Sequence, residues 1–279
     1  MELSKLENLK FIRYPGGKQR LLDYLLPYLP TNNQIPGIYI EPFLGGGAIF
    51  FAINPLKAIL SDLNDELMDL YRGIKYAPRK IWKLYYNFPS TKIGYYDIRD
   101  NFQCKRLVSR AARTLFLNRT CFKGMWRHNS KGEFNIGYGG QDRRWVIGEN
   151  DLVEVSCRLK QATLYCSDFE KIINLSNEKD FIFLDPPYKP HEKECINEHF
   201  TNGKFTFEDH KRLANTLKRA TQRGTKWALT TSNQKDIIDL FKGYNFVEIP
   251  FGTGEKPGIM TRNSGEILIY NYNEKEIFN

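Results

Sequence analysis

Short apolar runs recur along the chain at Ile38–Ile40, Ala58–Leu60, Thr163–Tyr165, Phe181–Leu184, Trp227–Thr230 and Ile267–Tyr272. Each is too short for a helix and most are rich in Ile, Phe or Tyr, so each predicts a buried or half-buried strand. Between them the apolar spacing becomes helical. Leu63, Leu67, Leu70 and Ile74 recur at intervals of four, three and four residues and make one stripe. A second helix is predicted from Glu208 to Arg223, with Leu213, Leu217 and Ala220 inward, Thr206 and Asp209 as a capping box, and Gly224 past its end. Strands alternating with helices predict an α/β fold with a mostly parallel sheet. From about Tyr76 to Glu154 the alternation stops. Leu107/Val108, Ala111/Ala112 and Leu115/Phe116 form a helical stripe that leaves Arg106, Arg110 and Arg113 on other faces. Asn129-Ser-Lys-Gly132 reads as a turn, and Phe134-Asn-Ile136 as a strand returning from it. An α/β unit of residues 1–75 and 155–279 is thus predicted, interrupted by a mainly helical insert, residues 76–154, that carries a β-hairpin.

Charge matters most in that insert. The 279 residues include 41 Lys+Arg and 32 Asp+Glu, a net charge of +9. Lys105, Arg106, Arg110, Arg113, Arg119, Lys123, Arg127 and Lys131 fall between Cys104 and Gly132 with no acidic residue among them. Such a cluster points to a polyanion, nucleic acid first, with a solvated helix face as the plainer alternative. Phe122, Trp126, His128 and Phe134 are interleaved with the charges, which favours nucleic acid because bases stack on rings. A hydrophobic fraction of 41% excludes a wholly disordered chain. No apolar run approaches the about eighteen residues that a membrane-crossing helix needs. The first residues lack the pattern of a secretory signal, and the five cysteines contain no Cys-x-x-Cys. Both features predict a cytoplasmic protein.

Two motifs carry chemistry. In Tyr39-Ile-Glu-Pro-Phe-Leu-Gly-Gly-Gly-Ala48 a strand ends at Glu41, a glycine loop follows and an apolar helix begins. Glycines at the carboxyl end of a strand allow close approach of a nucleotide, although a tight structural turn would use them too. Asp62, in Ser61-Asp-Leu-Asn64, follows the second strand and could accept from ribose hydroxyls, or cap the next helix, or both. Together the two sites suggest an adenosine-containing cofactor. The loop lacks the Gly-Lys-Ser/Thr ending of nucleoside-triphosphate sites. The second motif is Phe181-Ile-Phe-Leu-Asp-Pro-Pro-Tyr188. Asp185 closes a wholly apolar strand and two prolines stiffen the turn. The Asp185 carboxylate and the Pro186 carbonyl could accept from one amino group while Tyr188 offers a flat face; a Pro-Pro turn with a surface tyrosine is the alternative.

At these residues the chain resembles the Dam-type site-specific DNA adenine-N6 methyltransferases, and the match runs through most of it in the family's order. Arg13-Tyr-Pro-Gly-Gly-Lys18 is similar to the N-terminal cofactor motif, Glu41 to Ala48 to the glycine motif, and Ser61 to Asp65 to the acidic one. Asn118-Arg119, Gly124 and Arg127 to Asn135 resemble the recognition hairpin, Ser167-Asp-Phe169 the segment beside the cofactor's adenine, and Asp185 to Tyr188 the catalytic loop. The resemblance implies a Rossmann-like catalytic domain, residues 1–75 and 155–279, and a target-recognition domain, residues 76–154. It also implies S-adenosyl-L-methionine as cofactor and double-stranded DNA as partner. Asp185, Pro186, Pro187 and Tyr188 are the catalytic residues it implies. It assigns Tyr14, Lys18, Glu41, Pro42, Phe43, Gly45, Gly47, Asp62, Asp168, Phe169 and Asp185 to the cofactor. Arg119, Phe122, Lys123, Met125, Arg127, Asn129 and Asn135 are assigned to DNA, with Arg127 reading a guanine and Phe122 wedging into the opened duplex.

The implied target is GATC, reached by flipping the adenine out of the stack. Gly137 replaces the proline of the family's Val-Pro-Phe-Gly pattern and Lys123 a common asparagine, which keeps another palindrome, within a restriction-modification system, as the alternative. Methylation of RNA or of a protein glutamine, and a catalytically inactive DNA-binding relative, are weaker readings. No obligate protein partner is implied. His191, Cys195 and His199 have helical spacing, but methyl transfer needs no metal, and these residues are expected in a mobile loop after the catalytic motif. Gly254 to Asn263 is expected as a polar loop before the last strand, either touching phosphate or plain surface.

Overall fold

Seven strands form one sheet: β1 (Tyr39–Glu41), β2 (Ala58–Asp62), β3 (Ala162–Cys166), β4 (Phe181–Leu184), β5 (Lys226–Ser232), β6 (Asn245–Gly252) and β7 (Thr261–Tyr270), in the order β3-β2-β1-β4-β5-β7-β6. The computed structural model describes residues 9, 11–129, 131–188, 205–252 and 261–273. His191, Cys195 and His199 lie outside the described residues, as does most of the expected 254–263 loop, whose last three residues begin β7. β1 to β5 pair in parallel, and β7 and β6 close the edge antiparallel. Ten α-helices are assigned among the described residues: α1 (Leu22–Leu25), α2 (Ala48–Ile53), α3 (Asp65–Tyr76), α4 (Pro78–Asn87), α5 (Lys92–Asp100), α6 (Leu107–Thr120), α7 (Glu149–Leu159), α8 (Phe169–Ile173), α9 (Phe207–Gln222) and α10 (Lys235–Leu240).

Alternation along the strands explains the two cores. Tyr39, Phe181 and Phe183 join one buried cluster with α2, α3 and α6, while Ile40, Ile182 and Leu184 join another with α8, α9 and α10. The expected α/β class with helices on both faces is therefore present. The predicted helix after Thr206 runs Phe207–Gln222 with the capping box formed, and Gly224 follows at φ +83°. Two expectations need correction. Leu63 stands before α3 and is 48% exposed; the buried stripe is Leu67, Met68, Leu70, Tyr71 and Ile74. β6 was not expected, because Glu248 and Pro250 interrupt its apolar residues; as an edge strand paired only with β7 it tolerates both.

The helical segment after α3 packs directly on it. Gly73 of α3 lies so close to Ala111 of α6 that a Cβ there would sit 2.5 Å from the Ala111 Cβ. Arg144 is fully buried and donates to the carbonyls of Tyr85, Tyr86, Phe88 and Pro89, which satisfies the end of α4. The expected turn is present, with the Gly132 amide donating to the Asn129 carbonyl and Gly132 at φ +77°, but the expected strand Phe134-Asn-Ile136 is not formed: His128 and Phe134 meet in an isolated antiparallel bridge, and the hairpin is held there without a regular ladder.

Candidate active site

The strand order reverses between β1 and β4, and there an open parallel sheet leaves a crevice at its carboxyl ends. Glu41 ends β1 and Asp185 follows β4, so the two acids flank that crevice. Lys18 is buried with its Nζ 2.7 Å from Asp185 Oδ1, 3.3 Å from Glu266 Oε1 and 3.0 Å from the Gly16 carbonyl. Burial opposes its ammonium, but Asp185 and Glu266 outweigh burial and raise its pKa above the ordinary lysine value. Thr230 of β5 donates to the same Asp185 Oδ1 at 2.7 Å. Asp185 Oδ2 has no partner among the described residues. Tyr188 donates its hydroxyl to Glu266 Oε1 at 2.8 Å, and the Lys18 ammonium lies 4.8 Å from the Tyr188 ring centroid. Burial, then Glu266 and Asp185, push the Tyr188 phenol well above its ordinary pKa.

Glu41 is buried and accepts from the Tyr39 hydroxyl at 2.6 Å. Burial, with Asp185 and Asp62 adding to it, pushes its carboxyl up to about 8 against the hydrogen bonds from Tyr39 and the Phe50 amide. The glycine loop is fixed from three sides. Asp62 Oδ2 accepts from the Gly45 amide at 2.9 Å, Tyr71 donates to the Gly45 carbonyl at 2.9 Å, and Leu44 donates to the Ser61 carbonyl. Gly45 is left-handed, at φ +47°, and a Cβ on it would meet the Tyr14 ring at 3.0 Å. Pro42, Phe43 and Gly47 lie in the same turn, and Gly47 at φ +66° precedes α2. Asp62 is not the cap of α3. Asn64 is, accepting from Leu67, while Asp62 Oδ1 accepts from the Asn64 amide.

Asp168 caps α8, and both its oxygens meet Arg212 of α9, at 2.8 and 3.0 Å. Phe169 is buried between Phe43, 5.4 Å away by ring centroids, and the Arg212 guanidinium, 4.2 Å from its ring. Asp168 and Phe169, assigned by the resemblance to the cofactor, thus fix the start of α8 and its contact with α9. Arg212 and Glu266 are the residues that sequence reasoning missed. Glu266 is the lone acid heading the apolar run Ile267–Tyr270, and that contrast was the available signal.

The basic segment divides. Arg127, Lys123, Lys105, Arg106 and Lys131 are exposed. Arg110 pairs with Asp69 at 2.7 Å, and Arg113 lies 3.7 Å from Glu66; both acids come from α3, so the window without acids in sequence has acids in space. Arg119 is corrected from a DNA contact to a buried residue whose Nε donates to the Arg143 carbonyl at 2.8 Å. Of the four interleaved rings only Phe122 is exposed, at 51%; Trp126 and Phe134 are buried and His128 is half-buried, because the hairpin lies against α3 and α6. Met125 is half-buried. Asn129 is committed to the turn, accepting from Lys131 and Glu133 and donating to Glu133. Asn135 accepts from Arg127 Nε at 3.0 Å across the hairpin.

The chain is 32% identical to the type II methyltransferase M.MjaIII of Methanocaldococcus jannaschii, over 94% of this chain and 98% of that one. It is 30% identical to the type II methyltransferase M1.LlaDCHI of Lactococcus lactis subsp. cremoris, over 98% of each. With the DNA adenine methylase of Haemophilus influenzae it shares 28% identity, over 88% of this chain and 87% of the other. A family model described as the D12 class N6 adenine-specific DNA methyltransferase matches residues 14–250, from Tyr14 through the glycine loop, the hairpin and the Asp185 loop. The chain belongs to the D12 class of N6 adenine-specific DNA methyltransferases, and it is an enzyme.

Proposed function

We propose that this enzyme uses S-adenosyl-L-methionine to methylate N6 of an adenine flipped out of double-stranded DNA at GATC. The observation that carries the reading is the state of Asp185. Lys18 and Thr230 both engage Oδ1, which fixes the carboxylate and leaves Oδ2 to accept from an amino group. The donor set suits the cofactor. Lys18 is paired with Asp185 and Glu266, while Glu41 is buried beside Asp185 and Asp62 with no ion pair among the described residues, and the cofactor brings a sulfonium and an α-amine as well as ribose hydroxyls. Tyr14, Lys18, Glu41, Pro42, Phe43, Gly45, Gly47 and Asp62 would line its site, with Asp168 and Phe169 shaping the wall through Arg212. When bound, it supplies a methyl group activated on the sulfonium.

The chain's own residues position the acceptor. The Asp185 Oδ2 and the Pro186 carbonyl accept from the two N6 hydrogens, which directs the nitrogen lone pair out of the amino plane toward the methyl carbon. Pro187 stiffens the turn. Tyr188, its hydroxyl anchored on Glu266, replaces part of the stacking that the adenine loses. The 76–154 segment is read as the target-recognition domain. Arg127 reads a guanine edge from the hairpin, with Asn135 orienting its fork, and Phe122 and Lys123 stand at the duplex.

A second reading, in which the target is another palindrome, rests on Gly137 and Lys123, which depart from the family's pattern. Expression in a methylation-free host, followed by single-molecule sequencing of modified adenines in a plasmid, decides between them. Modification at every GATC supports the first reading, and modification confined to another motif replaces it with the second.

A further inference from the structure

The hairpin does not stand free of the cofactor loop. Glu66 lies in the first turn of α3, two residues after the cap Asn64, whose amide is held by Asp62. Its Oε2 is 3.0 Å from His128 Nε2, within hydrogen-bond distance, and its Oε1 is 3.7 Å from Arg113 Nη1. His128 forms the antiparallel bridge to Phe134, packs edge-on against that ring, and is the immediate neighbour of Arg127. Trp126, on the other side of Arg127, packs 6.1 Å from Tyr14 by ring centroids, and Tyr14 abuts Gly45. Both neighbours of Arg127 are therefore tied toward the cofactor loop, Trp126 through the Tyr14 ring against Gly45 and His128 through the first turn of α3. Only the His128 tie is polar and directional.

We propose that Glu66 is a specificity-positioning residue: through His128 it sets the placement of the hairpin and so the aim of Arg127 at its base. The inference rests on the reading of Arg127 as a base reader. Two buried nitrogens sharpen it. Trp126 Nε1 and His128 Nδ1 have no partner among the described residues, so this stretch of the hairpin has little side-chain hydrogen bonding there to hold it once the Glu66 bond is lost. Arg127 touches Asn135 only within the hairpin, and that bond moves with the hairpin instead of fixing it.

The test compares Glu66→Ala, Glu66→Gln, His128→Ala and Glu66→Ala/His128→Ala with the wild type. Methylation rates are measured on the cognate duplex and on one altered at the guanine assigned to Arg127. Glu66→Ala should lower the discrimination ratio about tenfold, and His128→Ala by a similar factor. Glu66→Gln, which can still hydrogen-bond Nε2, should recover most of it. The double mutant should be no worse than either single mutant, since one shared contact is lost. Cofactor affinity of the protein alone should stay within about twofold, which separates positioning from unfolding of the α3 first turn. Discrimination unchanged in Glu66→Ala, or additive losses in the double mutant, would overturn the proposal. Arg127→Ala is the control. If it leaves discrimination intact, the base-reader reading fails; if it relaxes discrimination and Glu66→Ala does not, only the Glu66 proposal fails.

Discussion

Glu41 offers a quantitative test of the cofactor site. Its carboxyl is buried beside Asp185 and Asp62 and is pushed up to about 8, so in the cofactor-free protein at pH 7 it is about nine-tenths protonated. A cofactor that brings a sulfonium and an ammonium into this crevice favours the carboxylate. Binding at pH 7 should then release about 0.9 proton. The apparent affinity should rise close to tenfold per pH unit between about pH 6 and 7.5 and level off above pH 8. Calorimetric titration in buffers of different ionisation enthalpy counts the protons directly. Glu41→Gln, which keeps the shape and an acceptor for Tyr39, should abolish both the release and the slope. The sign for stability is opposite. Glu41 titrates higher in the folded than in the unfolded chain, so the folded chain holds the extra proton between about pH 4.5 and 8, and the cofactor-free protein loses stability as pH rises through that window. Release near zero at pH 7, or release that survives Glu41→Gln, would refute the reasoning.

Tyr188→Phe keeps the ring and removes the bond to Glu266; it should reduce turnover by about tenfold with little change in cofactor affinity, whereas Tyr188→Ala should lose a stacking contribution of about 1–3 kcal/mol, both read in steady-state kinetics. Arg119→Ala should cost roughly 2 kcal/mol of stability, a fall of about 4–8 °C in Tm, because it orphans the Arg143 carbonyl and empties a buried site; its salt slope for DNA binding should not change. Arg106→Ala should flatten the plot of log affinity against log salt by about one unit, while Arg110→Ala, already neutralised by Asp69, should change it much less. Gel shifts at several salt concentrations read both.

Most of the sheet was legible in the chain because its strands are buried on both faces and therefore read as unbroken apolar runs. β6 was not, since an edge strand needs one partner only and tolerates Glu248 and Pro250. At the site, Asp185, Glu41, Asp62 and Lys18 were legible from motif and strand end. Glu266 was not, because a single acid in a strand reveals its partner only once β7 is inserted beside β5 and Tyr188 is brought across from β4. The basic window misled for the same reason. Its counter-charges, Glu66 and Asp69, stand about forty residues upstream on α3, and packing of α3 against α6 supplies them. Local charge identified a basic segment, and tertiary contact decided which of its cations remain available.

The central claim is that Asp185 holds the N6 amino group for transfer, and the product of single-turnover methylation tests it most directly. With isotopically labelled S-adenosyl-L-methionine and a duplex containing GATC, digestion and mass analysis should place all the label on adenine N6 for the wild type. Asp185→Ala should give no detectable transfer. Label on cytosine, or transfer at the wild-type rate by Asp185→Ala, would contradict the account.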